Sequence, residues 1–316
     1  MEGSFSVAAA PQEGIRLLRS LLARLMLFLV TAPVLPASAG YAADAGHELG
    51  RIKAKPLQEI SGIAASREYP QVLWMHNDGE ASHIYAVRIS GKVAAQVRIT
   101  ETVEDVEDVA IGPGPDKEVD YLYLGDIGDN DGDRREVQIV RFPEPPLDED
   151  RGQSRMKDAV VIRLRYPDSP HDAEALMIDS GTGDLILATK EEEKTRIYAA
   201  RGADLESAGG ASLTLEQVTE LDVGPVSGGD ISRDGRRLVL RSEDRGWLWE
   251  RQPQESLRET LRRPPLEIPV RGRRQGQNGE AIAFDPAGQS YWTVSEGKDE
   301  RIYSFDLPGT TTGPIR

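Results

Sequence analysis

The chain has 316 residues, no cysteine and a formal net charge of −15, with 38 basic against 53 acidic side chains. The lack of cysteine excludes disulfides, Cys-based zinc sites and thiol nucleophiles. The acidic balance argues against nucleic acid as a partner, because a phosphate backbone needs a basic footprint.

The first predicted element is a signal peptide. Arg16, Arg19 and Arg24 precede the apolar run "LMLFLVTAPVL", and "PASAG" offers a small-residue cleavage site after Ala39. The run is too short to span a bilayer comfortably and breaks at Pro33 and Pro36. Residues 1–39 are therefore expected to be removed, leaving a secreted or periplasmic product with no membrane span, folded as one domain over 40–316. Without them the chain still carries 35 basic and 51 acidic side chains.

The remainder repeats itself. Five apolar runs open on a small or acidic residue: "SGIAAS" at Ser61, "EDVAIG" at Glu107, "EALMID" at Glu174, "GDISRD" at Gly229 and "EAIAFD" at Glu280. Their equivalent positions, Ile63, Val109, Leu176, Ile231 and Ile282, lie 46, 67, 55 and 51 residues apart. Each is followed by a turn and a second run: "VLWMHND", "YLYLGD", "LILATK", "LVLRSED" and "YWTVSEG". A third run follows, and three of the five begin with Ile-Tyr, at Ile84, Ile197 and Ile302. A more variable fourth strand is legible at Val93, Ala159, Leu213 and Leu266.

Four short strands per unit, repeated around a ring, is the pattern of β-propeller blades. The fold class is all-β, a single propeller with a core over about 48–308. Five blades are expected, with six as the alternative if the 143–158 or 252–270 connection hides another. The fifth unit lacks a fourth strand, and "ELGRIKAK" (48–55) is placed to supply it, closing the ring with strands from both termini.

"GDIGDNDGDRREV" (125–137) resembles a calcium loop of the EF-hand type only in composition. With Gly132 at position 6, position 1 falls on Ile127 and position 12 on Gln138, neither a suitable carboxylate. The stretch instead connects the second and third strands of the second blade.

Antiparallel pairing brings the start of each first strand and the end of each second strand to one rim of the central channel. Glu107, Glu174 and Glu280 start first strands there. His76, Asn77 and Asp78; Asp126, Asp129 and Asn130; Lys190; Arg241; and Glu296 end second strands or follow them. Turn acids often only bond backbone N–H groups, and Lys190 and Arg241 offer salt bridges. Clustered carboxylates nevertheless need cations, protons or a metal. Oxygen-only ligands point to calcium, with Glu107, Asp126, Glu174 and Glu280 as candidate ligands. Four histidines with no metal-binding spacing make zinc a poor fit.

The blocks "EISGIAAS", "EDVEDVA", "YLYLGDIGDN", "EALMID" and "GEAIAF" resemble a family of uncharacterised secreted bacterial β-propeller proteins. More remotely, the acid-opened inner strands are similar to those of calcium-dependent propeller hydrolases, the gluconolactonase-like lactonases and propeller phytases. That resemblance implies calcium near the channel mouth, with Glu107, Glu174 and Glu280 as ligands. The glycine- and asparagine-containing lactonase signatures are missing, as is the dense lysine and arginine lining of a phytase.

Two functions follow. One is a metal-dependent hydrolase of an ester, lactone or phosphoester, with His76 and Asp78 as acid–base groups. Asn77, Asp129, Asn130, Lys190, Arg241 and Glu296 would then bind the substrate. His76 alternates with Trp74, however, so it is also placed to face a neighbouring blade. The other is a non-catalytic module docking a protein, peptide or sugar. A glycosidase ranks third, because Trp74, Trp247, Trp249 and Trp292 all fall inside strands. A monomer is expected in either case.

Overall fold

Apolar runs of five to eight residues, punctuated by turns, are too short for helices and buried on both faces, so they form strands sandwiched between neighbours. A computed structural model shows a five-bladed β-propeller, with the described residues being 46–79, 81–148, 150, 152–207 and 210–309 together with Met1 and Gly3. The expected signal peptide and its cleavage point lie outside the described residues.

The innermost strands are Ile60–Ala65, Val106–Pro113, Ala173–Ile178, Gly228–Ile231 and Asn278–Phe284. Each contacts the next around the channel, and the fifth contacts the first. The ring closes as the repeat requires: His47–Arg51 pairs antiparallel with Arg301–Asp306 as the outer strand of blade five.

Five apolar clusters fill the wedges between blades. Trp74 of blade one packs with Val109 and Leu124 of blade two, for example, and Trp292 of blade five packs with Ile63 and Met75 of blade one. The long connections hide no sixth blade. In the first, Gln153–Arg155 adds a parallel strand to the outer edge of blade one. In the second, a single helical turn, Leu257–Leu261, is held by a capping box between Ser256 and Glu259. The run at Leu213 divides: Leu213–Thr214 pairs with blade two, and Glu216–Leu221 completes blade three. These additions cover strand edges that would otherwise be open for pairing. Among the described residues no helix is long and apolar enough to cross a membrane.

Candidate metal centre at the channel mouth

The strand registers put the expected ends at one rim. Ile60 pairs with Asn77, Val106 with Asp126, Ala173 with Thr189, Gly228 with Arg241 and Asn278 with Glu296. At this rim four blades are bulged, and three of them share a feature that the repeat does not announce. Glu107, Glu174 and Glu280 are each the extra residue of a β-bulge, unpaired while their neighbours on both sides pair. A bulge bends its strand and re-aims one side chain. Blade four has no bulge between Gly228 and Ile231, and no glutamate.

Polar side chains on or beside the inner strands tie the ring together. Asp108 accepts the N–H of Val109 (2.8 Å) and of Leu176 in the next blade (2.9 Å). Asp230 does the same for Ile231 and for Phe284 of blade five, both at 2.8 Å. Ser61 donates to the Glu107 carbonyl (2.5 Å), and Ser227 to the Gly279 carbonyl (3.1 Å). These groups are latches between blades.

Asp78, Asp105 and Glu107 converge, each offering one oxygen within 4.8 Å of the others. Asp78 is exposed and opens the cluster to solvent, whereas Glu107 is 4% exposed. Among the described residues no donor reaches the Glu107 carboxylate. Burial, reinforced by Glu174, Asp78, Asp105 and Asp172, pushes its pKa up to about 10. Burial likewise raises Glu174 to about 8, against the pull of Lys190, and Glu280 to about 7, against Arg241 and Lys190. Lys190 forms an ion pair with Glu174. The nearby charges of Glu174, Glu280 and Glu107 outweigh burial and raise its pKa.

The loop 125–137 forms the wall of this site. Asp126 is fully buried, and both its oxygens are engaged. Oδ1 accepts the Asp105 N–H (2.9 Å) and Arg134 Nη2 (2.8 Å). Oδ2 accepts the Glu104 N–H (3.1 Å) and Gln138 Nε2 (2.7 Å). It therefore holds the backbone that carries Asp105. Gly128 lies against the cluster: a Cβ there would fall 2.5 Å from Asp105 Oδ2 and closer still to Glu107 Oε1. Asp129 accepts the Asp133 and Arg134 N–H groups at 3.0 to 3.2 Å, and its own N–H donates to Asp172 (2.9 Å). Asn130 is exposed at the loop tip. Gly128→Ala is expected to displace both carboxylates and cost about 1–3 kcal/mol, as overpacking does. Chemical denaturation would check this, and a stability equal to wild type would contradict it.

The remaining sequence-predicted residues sit apart from the cluster's oxygens. His76 is wholly buried between blades one and two, with Nδ1 2.8 Å from the Asn77 carbonyl and Nε2 unpartnered toward Gly62. Burial lowers its pKa to about 4 and keeps it neutral. Asn77 bridges the loop before the first blade, accepting from the Glu59 N–H (3.3 Å) and donating to the Pro56 carbonyl (2.5 Å). Arg241 is buried, with its guanidinium spread over the carbonyls of Ala281, Glu243 and Arg271 at 3.0 to 3.2 Å. Glu296 accepts from Asn278 at 3.4 Å.

No family model and no curated protein matches this chain. Asp105 is the member that reasoning from the first strands missed. Its signal was available: Asp105-Val106-Glu107, Asp172-Ala173-Glu174 and Asn278-Gly279-Glu280 repeat one acid-or-amide, x, glutamate pattern. The x residue is the last paired one before the bulge in all three blades.

Proposed function

We propose that the channel mouth holds a divalent cation, calcium by its oxygen-only donors, and that the protein is an exported calcium-dependent hydrolase of an ester, lactone or phosphoester. The observation that carries this reading is Glu107, a buried carboxylate that no donor reaches among the described residues, facing two further carboxylates. Left ionised, such a group is costly, and a cation between Asp78, Asp105 and Glu107 removes that cost. Calcium takes six to eight oxygens, so three carboxylates leave positions for substrate or water on the open Asp78 side.

A bound cation would polarise a substrate oxygen. Around it, Lys190 stands ready to hold an anionic group and Glu174 to exchange a proton with it. Burial of His76 between blades favours the second reading, a rigid docking platform with a structural cation, since it removes the imidazole from the mouth.

Adding calcium to chelator-treated protein is expected to raise the melting temperature in a saturable way. Asp78→Asn, Asp105→Asn and Glu107→Gln are expected to abolish the rise, while Asp234→Ala, in a turn at the opposite rim, keeps it. Turnover of lactones, aryl esters or phosphoesters that the same three variants lose would establish the hydrolase. Calcium binding without turnover on any of them would leave the platform, and no calcium response would overturn the metal centre itself.

A further inference from the structure

Arg141, on the third strand of blade two, is a buried cation without a carboxylate. Its residue is 5% exposed, and among the described residues no acidic side chain pairs with it. The guanidinium lies 5.8 Å from the centre of the Tyr121 ring and beside the Tyr123 hydroxyl. That hydroxyl donates to the Pro113 carbonyl at 2.6 Å and accepts from the guanidinium, but it carries no charge to offset it. A buried charge left without a counter-charge is unfavourable.

The same guanidinium borders a cavity of about 430 Å³ between blades two and three. It opens at the rim opposite the metal centre, where Pro113 pairs with Asp120 and Ile178 with Leu185. Its other polar walls are Lys117, Ser180, Thr182 and Glu206, set among glycine backbone that leaves the space open. Ser180 Oγ accepts from Arg67 (2.6 Å), and Thr182 Oγ1 accepts from the Asp184 N–H (3.2 Å). Each hydroxyl therefore keeps its own hydrogen to donate. Glu206 is taken up by Lys117 at 3.1 Å, and both are exposed at the edge. The cavity thus offers a guanidinium with no acidic partner and two hydroxyls, while its one acid and its ammonium pair with each other at the edge.

We propose that this cavity binds a phosphoryl group, as inorganic phosphate or as the phosphate of a small ester, with Arg141 as its principal ligand. A guanidinium matches two oxygens of such a group at once, and hydroxyl donors suit a third oxygen that a carboxylate lacks. The volume lies within the range of small-molecule sites.

The test is thermal unfolding of the full chain in metal-free chloride buffer, titrated with inorganic phosphate, a hexose phosphate or acetate at constant ionic strength. A saturable rise with phosphate, and little with acetate, is expected. A larger rise with hexose phosphate would identify an ester as the source, and an equal one the free ion. Arg141→Met, which keeps the stem packed on Tyr121, is expected to weaken the response at least about tenfold without lowering the melting temperature in chloride. Thr182→Val should weaken it by less, and Glu107→Gln, at the other rim, should leave it intact. The proposal is overturned by no saturable response to either phosphate, by an equal response to acetate, or by a response that survives in both Arg141→Met and Thr182→Val.

Discussion

Asp126→Ala is expected to lower the unfolding free energy by about 3–5 kcal/mol, the usual cost of removing one partner from a buried ion pair, and to eliminate calcium-dependent stabilisation. Asp126 is completely buried and meets Arg134 at 2.8 Å, with that guanidinium itself largely covered. Alanine would take the buried carboxylate from Arg134 and Gln138, which keep the Gly128 and Thr102 carbonyls, and would leave the N–H groups of Glu104 and Asp105 without their acceptor. The last two carry the second consequence. They fix the turn from which Asp105 faces Glu107, so its loss should loosen the site although Asp126 contributes no free oxygen to it. Asp126→Asn is expected to fall between, since one oxygen remains while the new NH₂ opposes donors. Urea denaturation and the calcium-induced melting shift would be measured together. A near wild-type denaturation midpoint, or an intact calcium shift in a folded Asp126→Ala protein, would refute this positioning role.

The fold was legible because its signal is redundant. Five apolar pairs of runs, three of them followed by Ile-Tyr, repeat a unit that can bury its faces only against copies of itself. The rim was legible for the same reason, since antiparallel pairing fixes which strand ends meet. The site was legible only to within a few residues. A bulge adds one residue to a strand, and side-chain alternation has a period of two, so one undetected insertion changes which face every following residue occupies. Asp108 and Asp230 lie in the same inner strands, and backbone N–H groups of neighbouring blades occupy both. Asp126 looks like a ligand and is a brace. His76 shares its strand face with Trp74, and that alternation did place it between blades. Gly128 reads as turn material, because its requirement is a close approach by two carboxylates from elsewhere in the chain. Such approaches are properties of the folded ring.

Metal-free protein is expected to lose stability as the pH rises from 6.5 to 8. Glu107 is raised from an ordinary value near 4.5 to about 10, foremost by burial. Between those two values the folded chain holds a proton that the unfolded chain has released. Unfolding free energy changes with pH as the difference in bound protons, unfolded minus folded, so the sign is negative throughout this interval. Glu174, raised to about 8, contributes in the same direction, and Glu280, raised to about 7, does so over the lower part. Each fully retained proton corresponds to about 1.4 kcal/mol per pH unit. Groups that act the other way titrate largely outside the tested pH range, and Arg241, lowered to about 10 by burial, lies well above it. His76, depressed to about 4, holds more proton when unfolded mainly below about 7, and Glu255, held near 2 by Arg263, matters mainly below about 5. Calcium should flatten or reverse the slope, because a cation at these carboxylates displaces their protons and binds more tightly as pH rises. Glu107→Gln keeps the side chain's shape without its charge. The metal-free variant is therefore expected to show a shallower slope, to be more stable than wild type at pH 8, and to ignore calcium. Denaturation curves at pH 6.5, 7.25 and 8, with chelator and with calcium, test all three expectations. A metal-free wild type whose stability stays level or climbs over that range would mean that Glu107 is ionised without a cation, and the case for a metal at the mouth would go with it.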